Sequence, residues 1–446
     1  MKIVIAGAGE VGFHIAKQLS EEKKYVVLIE KNEERAKFAS EHLDCMVING
    51  ESTSVDILEK AECGNADMFL AVTDSDEINL LSCFFASAKF NISKKAARVR
   101  NPEYSTRTSK SLEKFGVDLI INPEMEAAKS IINAVNFGAS SDIIIFEDID
   151  IQMRGVYIDQ HSILKDRTII DIKKEIQSDF IVSGIKTAEG NLIIPSGYTQ
   201  VKEGDYIYIV SKKNNVEDIL KQIGKTKIKI RNIAIFGGSK IGVMTAKGLC
   251  GKKRNIKIIE KDYEKCKLIS QQCKNATIIN DDASNADVFE EESIDEFDVA
   301  IAATGNEEIN LISSLYAKSI GVKRTIAVMD KTNYITMATR LNIDAVVSPK
   351  LSSVSSILKF VRKGNIIGVY SIFGGEAEAL EFDISQKSKL KNKQIKDANI
   401  PKNSLIIALI RDNQSIIPNG ELTIRENDRV ILFAKKEDIT KIENII

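Results

Sequence analysis

The segment KIVIAGAGEVG at residues 2–12 returns as NIAIFGGSKIG at residues 232–242. In both copies a short apolar run, rich in β-branched residues, passes straight into glycines and then into a stretch with helical spacing. The repeat continues in order. VVLIEKN (26–32) returns as IKIIEKD (256–262), and AVTDSDEINLL (71–81) as AATGNEEINLI (302–312). FGVDLIINPEMEAAKSII (115–132) returns as LNIDAVVSPKLSSVSSIL (341–358), and PSGYTQVKEGDYIYIV (195–210) as PNGELTIRENDRVILFA (418–434). A fixed order of similar blocks marks an internal duplication, which governs every domain assignment that follows.

Within each copy, apolar runs such as KIVIA, YVVLI, CMVIN, MFLAV, AARV and DLIIN alternate with longer segments of helical periodicity. Continuous apolar runs suit strands buried on both faces, and β-α alternation is the pattern of a doubly wound parallel sheet. The segments that follow carry strands among turn signals, with FEDIDIQM (within the apolar strand IIIFEDIDI and beyond it), DFIVSGIK, NLIIPS and YIYIVS as candidates for a small antiparallel sheet. The expected fold class is therefore α/β: two Rossmann-like domains, each followed by a small α+β domain. The boundaries read 1–124, 140–224, 231–350 and 366–446, with residues 225–231 (KTKIKIR) as a basic linker.

The chain of 446 residues has 62 Lys and Arg against 63 Asp and Glu, a net charge of -1. That balance gives no general attraction to nucleic acid, so any anion site must be local. The six cysteines, Cys45, Cys63, Cys83, Cys250, Cys266 and Cys273, form no CxxC pair and read as free thiols of a reducing compartment. The opening residues lack the length of a secretory signal, and no apolar stretch approaches the ~20 residues of a bilayer span. A cytoplasmic location is expected, with any membrane role exercised through a partner. The basic runs 225–231 and 387–396 read as solvated charge, with contact to a transporter or to anionic lipid as the alternative.

Gly7, Gly9 and Gly12 form G-x-G-x-x-G between a strand and a helix, the arrangement that brings a diphosphate against unpaired N–H groups at a helix start. Ala8, Glu10 and Val11 complete that loop. Glu30, closing the second strand, stands where a carboxylate receives adenosine ribose hydroxyls. It favours NAD over NADP, while ADP and ATP offer the same ribose and phosphates. Loops at Asn49, Gly50, Glu51, Ser52 and Thr53 and at Thr73 and Asp74 should face the same crevice. Arg98 and Arg100 read either as phosphate contacts or as surface ion pairs.

These blocks, with ARVRNPEY (97–104) and INPE (121–124), resemble the TrkA family, peripheral subunits of Trk potassium uptake systems and tandem members of the RCK (regulator of potassium conductance) group. The resemblance covers essentially the whole chain. It implies RCK C-terminal domains in the smaller segments, and nucleotide contacts at Gly7 to Val11, Glu30, Thr73, Asp74 and Arg98. In the second half, Gly237, Gly238, Ser239, Lys240, Ile241 and Glu260 take the matching positions. It further implies NAD(H) or ATP/ADP as ligand, a TrkH-type membrane potassium channel subunit as partner, homo-oligomers (dimer or tetramer), and attachment to the inner face of the membrane through that partner. A second effector such as cyclic di-AMP between paired small domains is a further possibility within the family.

The second copy departs from the pattern. Ser239 stands in place of Gly9, Asp281 in place of Gly50, Gly305 in place of Asp74, and Val328 and Asp330 in place of Arg98 and Arg100. Two lost cations and added carboxylates disfavour an anion there, so a weak or altered second site is expected. The competing classes are an NAD-dependent oxidoreductase and a scaffold with vestigial sites. Hydride chemistry needs a positioned proton acceptor. The histidines are His14, His42 and His161, the first two read as packing or surface residues, and His161 has no counterpart in the second half. A non-enzymatic regulatory subunit is the expected class.

Overall fold

The computed structural model describes residues 1–101, 104, 116–137, 143–146, 149–224, 230–251, 253–341, 343–361, 366–372, 376–443 and 445. Most of the expected linker, residues 225–229, lies outside that set.

The first Rossmann-like layer contains β1 (Lys2–Ala6), β2 (Tyr25–Glu30), β3 (Met46–Asn49), β4 (Met68–Ala71), β5 (Lys94–Arg98) and β6 (Leu119–Ile121). Its helices are α1 (Glu10–Glu21), α2 (Glu33–His42), α3 (Val55–Lys60), α4 (Asp76–Lys89) and α5 (Pro123–Phe137). The strands pair in parallel in the order β3-β2-β1-β4-β5-β6. β1 and β4 are buried along their whole length, as strands covered by helices on both faces must be. The order reverses between β1 and β4, and a crevice opens beyond the carboxyl ends of the strands at that point.

The first small sheet follows: β7 (Ile143–Ile145), β8 (Ile151–Tyr157), β9 (Phe180–Lys186), β10 (Leu192–Ile193) and β11 (Tyr206–Lys212), with α6 (Ile169–Glu175) and α7 (Lys213–Gln222). It is antiparallel, in the order β10-β9-β11-β8-β7. IIIFEDIDI, read as one strand, is divided between β7 and the start of β8, which pair antiparallel with Ile143 opposite Arg154. The reversal sends both Phe146 and Ile149 into the core, where a straight strand would place residues three apart on opposite faces.

The second half repeats the plan. Strands β12 (Asn232–Phe236), β13 (Asn255–Glu260), β14 (Thr277–Asn280), β15 (Val299–Ala302), β16 (Thr325–Val328) and β17 (Ala345–Val347) stand in the order β14-β13-β12-β15-β16-β17. With them are α8 (Lys240–Leu249), α9 (Tyr263–Gln272), α10 (Asp287–Glu291), α11 (Glu307–Ser319), α12 (Thr332–Arg340) and α13 (Pro349–Val361). The last sheet has β18 (Ile366–Ile372), β19 (Ala377–Asp383), β20 (Ser404–Arg411), β21 (Gln414–Ile416) and β22 (Arg429–Lys435), followed by α14 (Ile439–Glu443). Its order is β18-β19-β22-β20-β21, antiparallel.

Two compact units result, and each mixes the halves. One gathers residues 1–132, 234–296 and 300–361; the other gathers 133–233, 297–299 and 362–446. In the first unit, Val354, Ile357, Leu358 and Val361 of α13 share a core with Ile15, Ala16 and Leu19 of α1. Their spacing of three and four residues makes one helical stripe, and each such buried side chain contributes roughly 1.5–3 kcal/mol. The exchange runs the other way too, since a Cβ at Gly248 of α8 would meet Ile132 of α5 at 2.3 Å. Ser356 of α13 donates to the Glu126 carboxylate of α5 at 2.7 Å. The closing helix of each Rossmann-like layer thus lies on the other layer.

In the second unit, Met153, Tyr208 and Val210 of the first small sheet join Ile372, Ile431 and Phe433 of the second in one core. Phe146 meets Tyr370 edge-on with ring centroids 4.7 Å apart, and Lys186 pairs with Glu376. Within the basic run 387–396, Lys391 pairs with Glu426 and Lys396 with Glu421.

Candidate nucleotide site

After β1 the chain turns at Gly7 with φ +105°. A Cβ there would stand 3.0 Å from the Thr73 backbone, and one at residue 12 would stand 1.8 Å from the Gly7 carbonyl oxygen. These two glycines let α1 descend onto the end of the strand. Gly9 has a different role: a Cβ there would meet nothing within 4 Å, and its φ of -63° is open to any residue. What glycine provides at position 9 is free space above the start of α1. Gly9 is also the N-cap residue and supplies no side-chain cap, so the first-turn N–H groups face that space with the positive end of the helix dipole behind them.

Glu30 is buried at the end of β2. Its Oε2 accepts from the Ala8 N–H at 2.6 Å and its Oε1 from the Asn32 N–H at 2.8 Å. A carboxylate oxygen has two acceptor positions, so each can still receive a hydroxyl. Glu30 therefore shapes the glycine loop as well as lining the crevice. Asn49 Nδ2 donates to the carbonyls of Glu30 at 3.0 Å and Lys31 at 3.3 Å, tying the third strand's loop to the same point.

Asn79 of α4 has a part that the motif reading overlooks. It is buried, and its Oδ1 accepts from the Thr73 N–H at 2.8 Å and the Thr73 hydroxyl at 2.7 Å. Its Nδ2 donates to the carbonyls of Thr73 at 3.1 Å and Arg98 at 2.8 Å. One side chain thereby fixes the ends of β4 and β5. The repeat held the signal, because Asn310 does the same for Thr304 and Val328.

Arg98 ends β5 and is buried, with Nη1 3.4 Å from the Thr73 carbonyl and 3.5 Å from Asp74 Oδ1. Burial and the nearby Arg100 charge lower its pKa. Its Nε has no partner among the described residues. Asp74 is largely exposed and also lies 3.6 Å from Arg35. Arg98 is therefore a desolvated cation with an incompletely satisfied fork, and an incoming phosphate would relieve that. Arg100 points to Glu124, with Nε 3.9 Å from Oε1.

Two adjoining spaces run along these residues. A cavity of about 240 Å³ is lined by Gly7, Glu30, Gly50, Ser52, Thr53 and Thr73. A larger one of about 910 Å³ is lined by Ala8, Glu10, Val11, His14, Arg98 and Lys350. Gly9, Arg35, Val72 and Asp74 line both, so they form one crevice. Gly12 lies beneath it. The first-half residues expected at the site are thus brought together, and Ile241 of the second half joins the wall of the larger space. His14, read as packing or surface, stands on that wall too, and burial with the Lys350 charge lowers its pKa. His42 stacks on Phe38 at 4.1 Å, and His161 is exposed beside Gln160.

The second copy closes in on itself. Gly237 turns with φ +103°, and Glu260 accepts from the N–H groups of Gly238 at 2.7 Å and Asp262 at 2.9 Å, as Glu30 does. Ser239, however, does not reach outward. Its hydroxyl accepts from the Gly242 N–H at 3.2 Å and donates to the Ala303 carbonyl at 2.5 Å, capping α8. That takes one of the donors left uncapped in the first half. Lys240 is exposed, Val328 is buried apolar surface, and Asp281 accepts from the Asp282 N–H at 2.6 Å.

All six cysteines are free, with Cys63, Cys83, Cys266 and Cys273 buried. Among the described residues no helix is long and apolar enough to cross a membrane, and no group of three or more His, Cys, Asp or Glu could hold a metal ion.

The chain matches known proteins along its length. The TrkA-N domain matches residues 3–123 and 233–349, and the TrkA-C domain matches residues 153–224 and 379–446. A Trk system potassium uptake protein TrkA homolog 1 from Methanosarcina mazei is 34% identical, with 99% of each chain covered. Among solved structures, a GsuK channel bound to NAD is 16% identical at a TM-score of 0.61, covering 100% of this chain and 78% of that one. A GsuK structure bound to ADP is 14% identical at a TM-score of 0.50, covering 81% and 69%. These likenesses to solved structures concern the fold. With both domain types present twice and in tandem, and a relative one-third identical from end to end, the chain belongs to the TrkA family.

Proposed function

We propose that this chain is a nucleotide-sensing regulatory subunit of a Trk-type potassium uptake system, and not an enzyme. It binds an adenosine nucleotide with a diphosphate, NAD(H) or ATP/ADP, in the first-half crevice and gates a membrane-embedded TrkH-type partner that conducts the ion. The observation that carries this reading is the uncapped start of α1 beneath the open space at Gly9, in one cavity with the buried guanidinium of Arg98, whose Nε has no partner among the described residues. Gly7, Ala8, Glu10 and Val11 shape the loop, Gly12 seats it, Glu30 receives the ribose, and Thr73 and Asp74 border the phosphates. The positions Gly237, Gly238, Ser239, Lys240, Ile241 and Glu260 form a second, weaker site, with Ser239 already satisfied within the protein.

The name of the Methanosarcina mazei relative supports the transport role, and the NAD and ADP of the two GsuK structures fit the ligand class. The protein works at the inner face of the membrane through its partner, as a homo-oligomer, with the domain limits 1–124, 140–224, 231–350 and 366–446. A ligand can shift gating only by its differential affinity for two conformations, commonly ~1–3 kcal/mol of coupling. Calorimetric titration of NAD, NADH, ADP and ATP into wild type and Gly9→Asp tests the site. The substitution fills the diphosphate space with a like charge, so binding should be lost; unchanged affinity would remove the assignment. Potassium flux through membranes carrying the partner, with and without this chain and nucleotide, tests the output.

A further inference from the structure

The larger part of the crevice contains a cation that belongs to the other half of the chain. Lys350 is the second residue of α13, and α13 packs its apolar stripe against α1. The Lys350 side chain is only 13% exposed, and its Nζ lies 3.6 Å from Oε2 of Glu10, the first residue of α1. Its position is held from behind. Asp330 Oδ1 accepts from the Lys350 N–H at 3.1 Å and from the Ser348 hydroxyl at 2.6 Å, and Ser348 Oγ accepts from the Leu351 N–H at 3.1 Å. Asp330, which in the sequence marks a lost cation of the second half, thus anchors a cation of the first. Glu10 is 77% exposed and free to turn away, whereas the buried stem of Lys350 is not.

The crevice has a direction. Glu30 and Gly50 mark the sugar end in the smaller space, Gly9 lies on the boundary, and Lys350 lies in the larger space with Arg98. A nucleotide whose ribose is at Glu30 and whose diphosphate is at Gly9 directs its next group toward Lys350. A third phosphate there gains a charge-assisted contact, whereas a nicotinamide riboside gains none.

We propose that Lys350 is a specificity-determining residue of the first-half nucleotide crevice, supplied by the second half, which makes the site favour a nucleoside triphosphate over the diphosphate. This inference rests on the crevice being the nucleotide site.

The test is calorimetric titration of ATP and ADP into the full chain as wild type, Lys350→Gln and Lys350→Arg at one salt concentration. Lys350→Gln should weaken ATP about 10-fold and ADP less than about 2-fold, and Lys350→Arg should retain the wild-type ratio. Equal weakening of both nucleotides by Lys350→Gln means only structural damage and overturns the proposal, as does an unchanged ratio or an Arg variant that behaves like Gln. Should Lys350→Gln not fold, Glu10→Gln decides: removing the competing carboxylate should tighten ATP more than ADP, and an unaltered ratio overturns the proposal. Wild type that binds NAD or NADH but neither ATP nor ADP overturns this proposal and leaves the crevice reading standing, whereas wild type that binds none of the four overturns both.

Discussion

The Asn79 carboxamide oxygen accepts from both the backbone N–H and the hydroxyl of Thr73, at 2.8 and 2.7 Å, and Asn310 holds Thr304 in the same way. Asn79→Ala would leave the Thr73 N–H and the Arg98 carbonyl without that partner in a buried place. A loss of about 2–3 kcal/mol is expected, seen as a lower midpoint in urea unfolding, together with weaker nucleotide binding. Asn79→Asp, which turns a buried carboxylate oxygen toward the carbonyls of Thr73 and Arg98, should cost at least as much as Ala. An Ala variant as stable as wild type would mean that the two strand ends are held by other contacts.

The glycines of the first loop should separate folding from binding. Gly12→Ala places a Cβ 1.8 Å from the Gly7 oxygen and should lower the melting temperature by several degrees, since overpacking typically costs about 1–3 kcal/mol. Gly9→Ala meets nothing within 4 Å at an ordinary φ, so its melting temperature should match wild type while nucleotide affinity drops. The contrary pattern, a destabilised Gly9→Ala with intact binding, would contradict the assignment of free space at that position.

Ser239→Ala removes the cap of α8 and its bond to Ala303, at an expected cost of about 1 kcal/mol. Nucleotide affinity at the first crevice should not change. A drop in that affinity would show that the two glycine loops are coupled.

His14 gives a dependence on pH. Its pKa is lowered from 6.5 by burial first and by the Lys350 charge second, so the folded state binds this proton less readily than the unfolded state. Stability therefore falls as pH drops below about 6.5 and stops falling, for this group, once pH passes below the folded-state pKa. His14→Gln should lessen the loss of melting temperature between pH 7 and pH 5. Identical pH profiles for the two proteins would exclude the histidine as its source.

Burial pushes the thiols of Cys63 and Cys83 up to about 12 and that of Cys45 up to about 11. Thiolate is therefore scarce at pH 8, and these three should resist maleimide in the native protein and react once urea unfolds it. Fast native labelling at Cys83, read by peptide mass, would show local opening of α4.

The doubled parallel sheets were legible because their signals are local: apolar runs long enough for buried strands, glycines at strand ends, and a repeat that checks each reading against its counterpart. Glu30 was legible through its spacing from those glycines, and Arg98 through its place at the end of the fifth strand together with the family resemblance. Asn79 was visible only as one more identity between the repeats, since a polar residue in a helix does not announce that it faces inward. The hairpin at 143–157 was missed because alternation in a short apolar run does not tell a straight strand from one that doubles back.

The chain itself determined its duplication, its α/β layers and the place of the first glycine loop, all consequences of short-range periodicity and backbone sterics. Tertiary structure alone decided that α13 lies on α1 and carries Lys350 to Glu10, and that Ser239 spends its hydroxyl within the protein. Periodicity reveals which face of a helix is apolar but not which partner it meets, because hydrophobic burial has no direction of its own. The cation that completes the first crevice is therefore set by how the two halves pack, across most of the length of the chain.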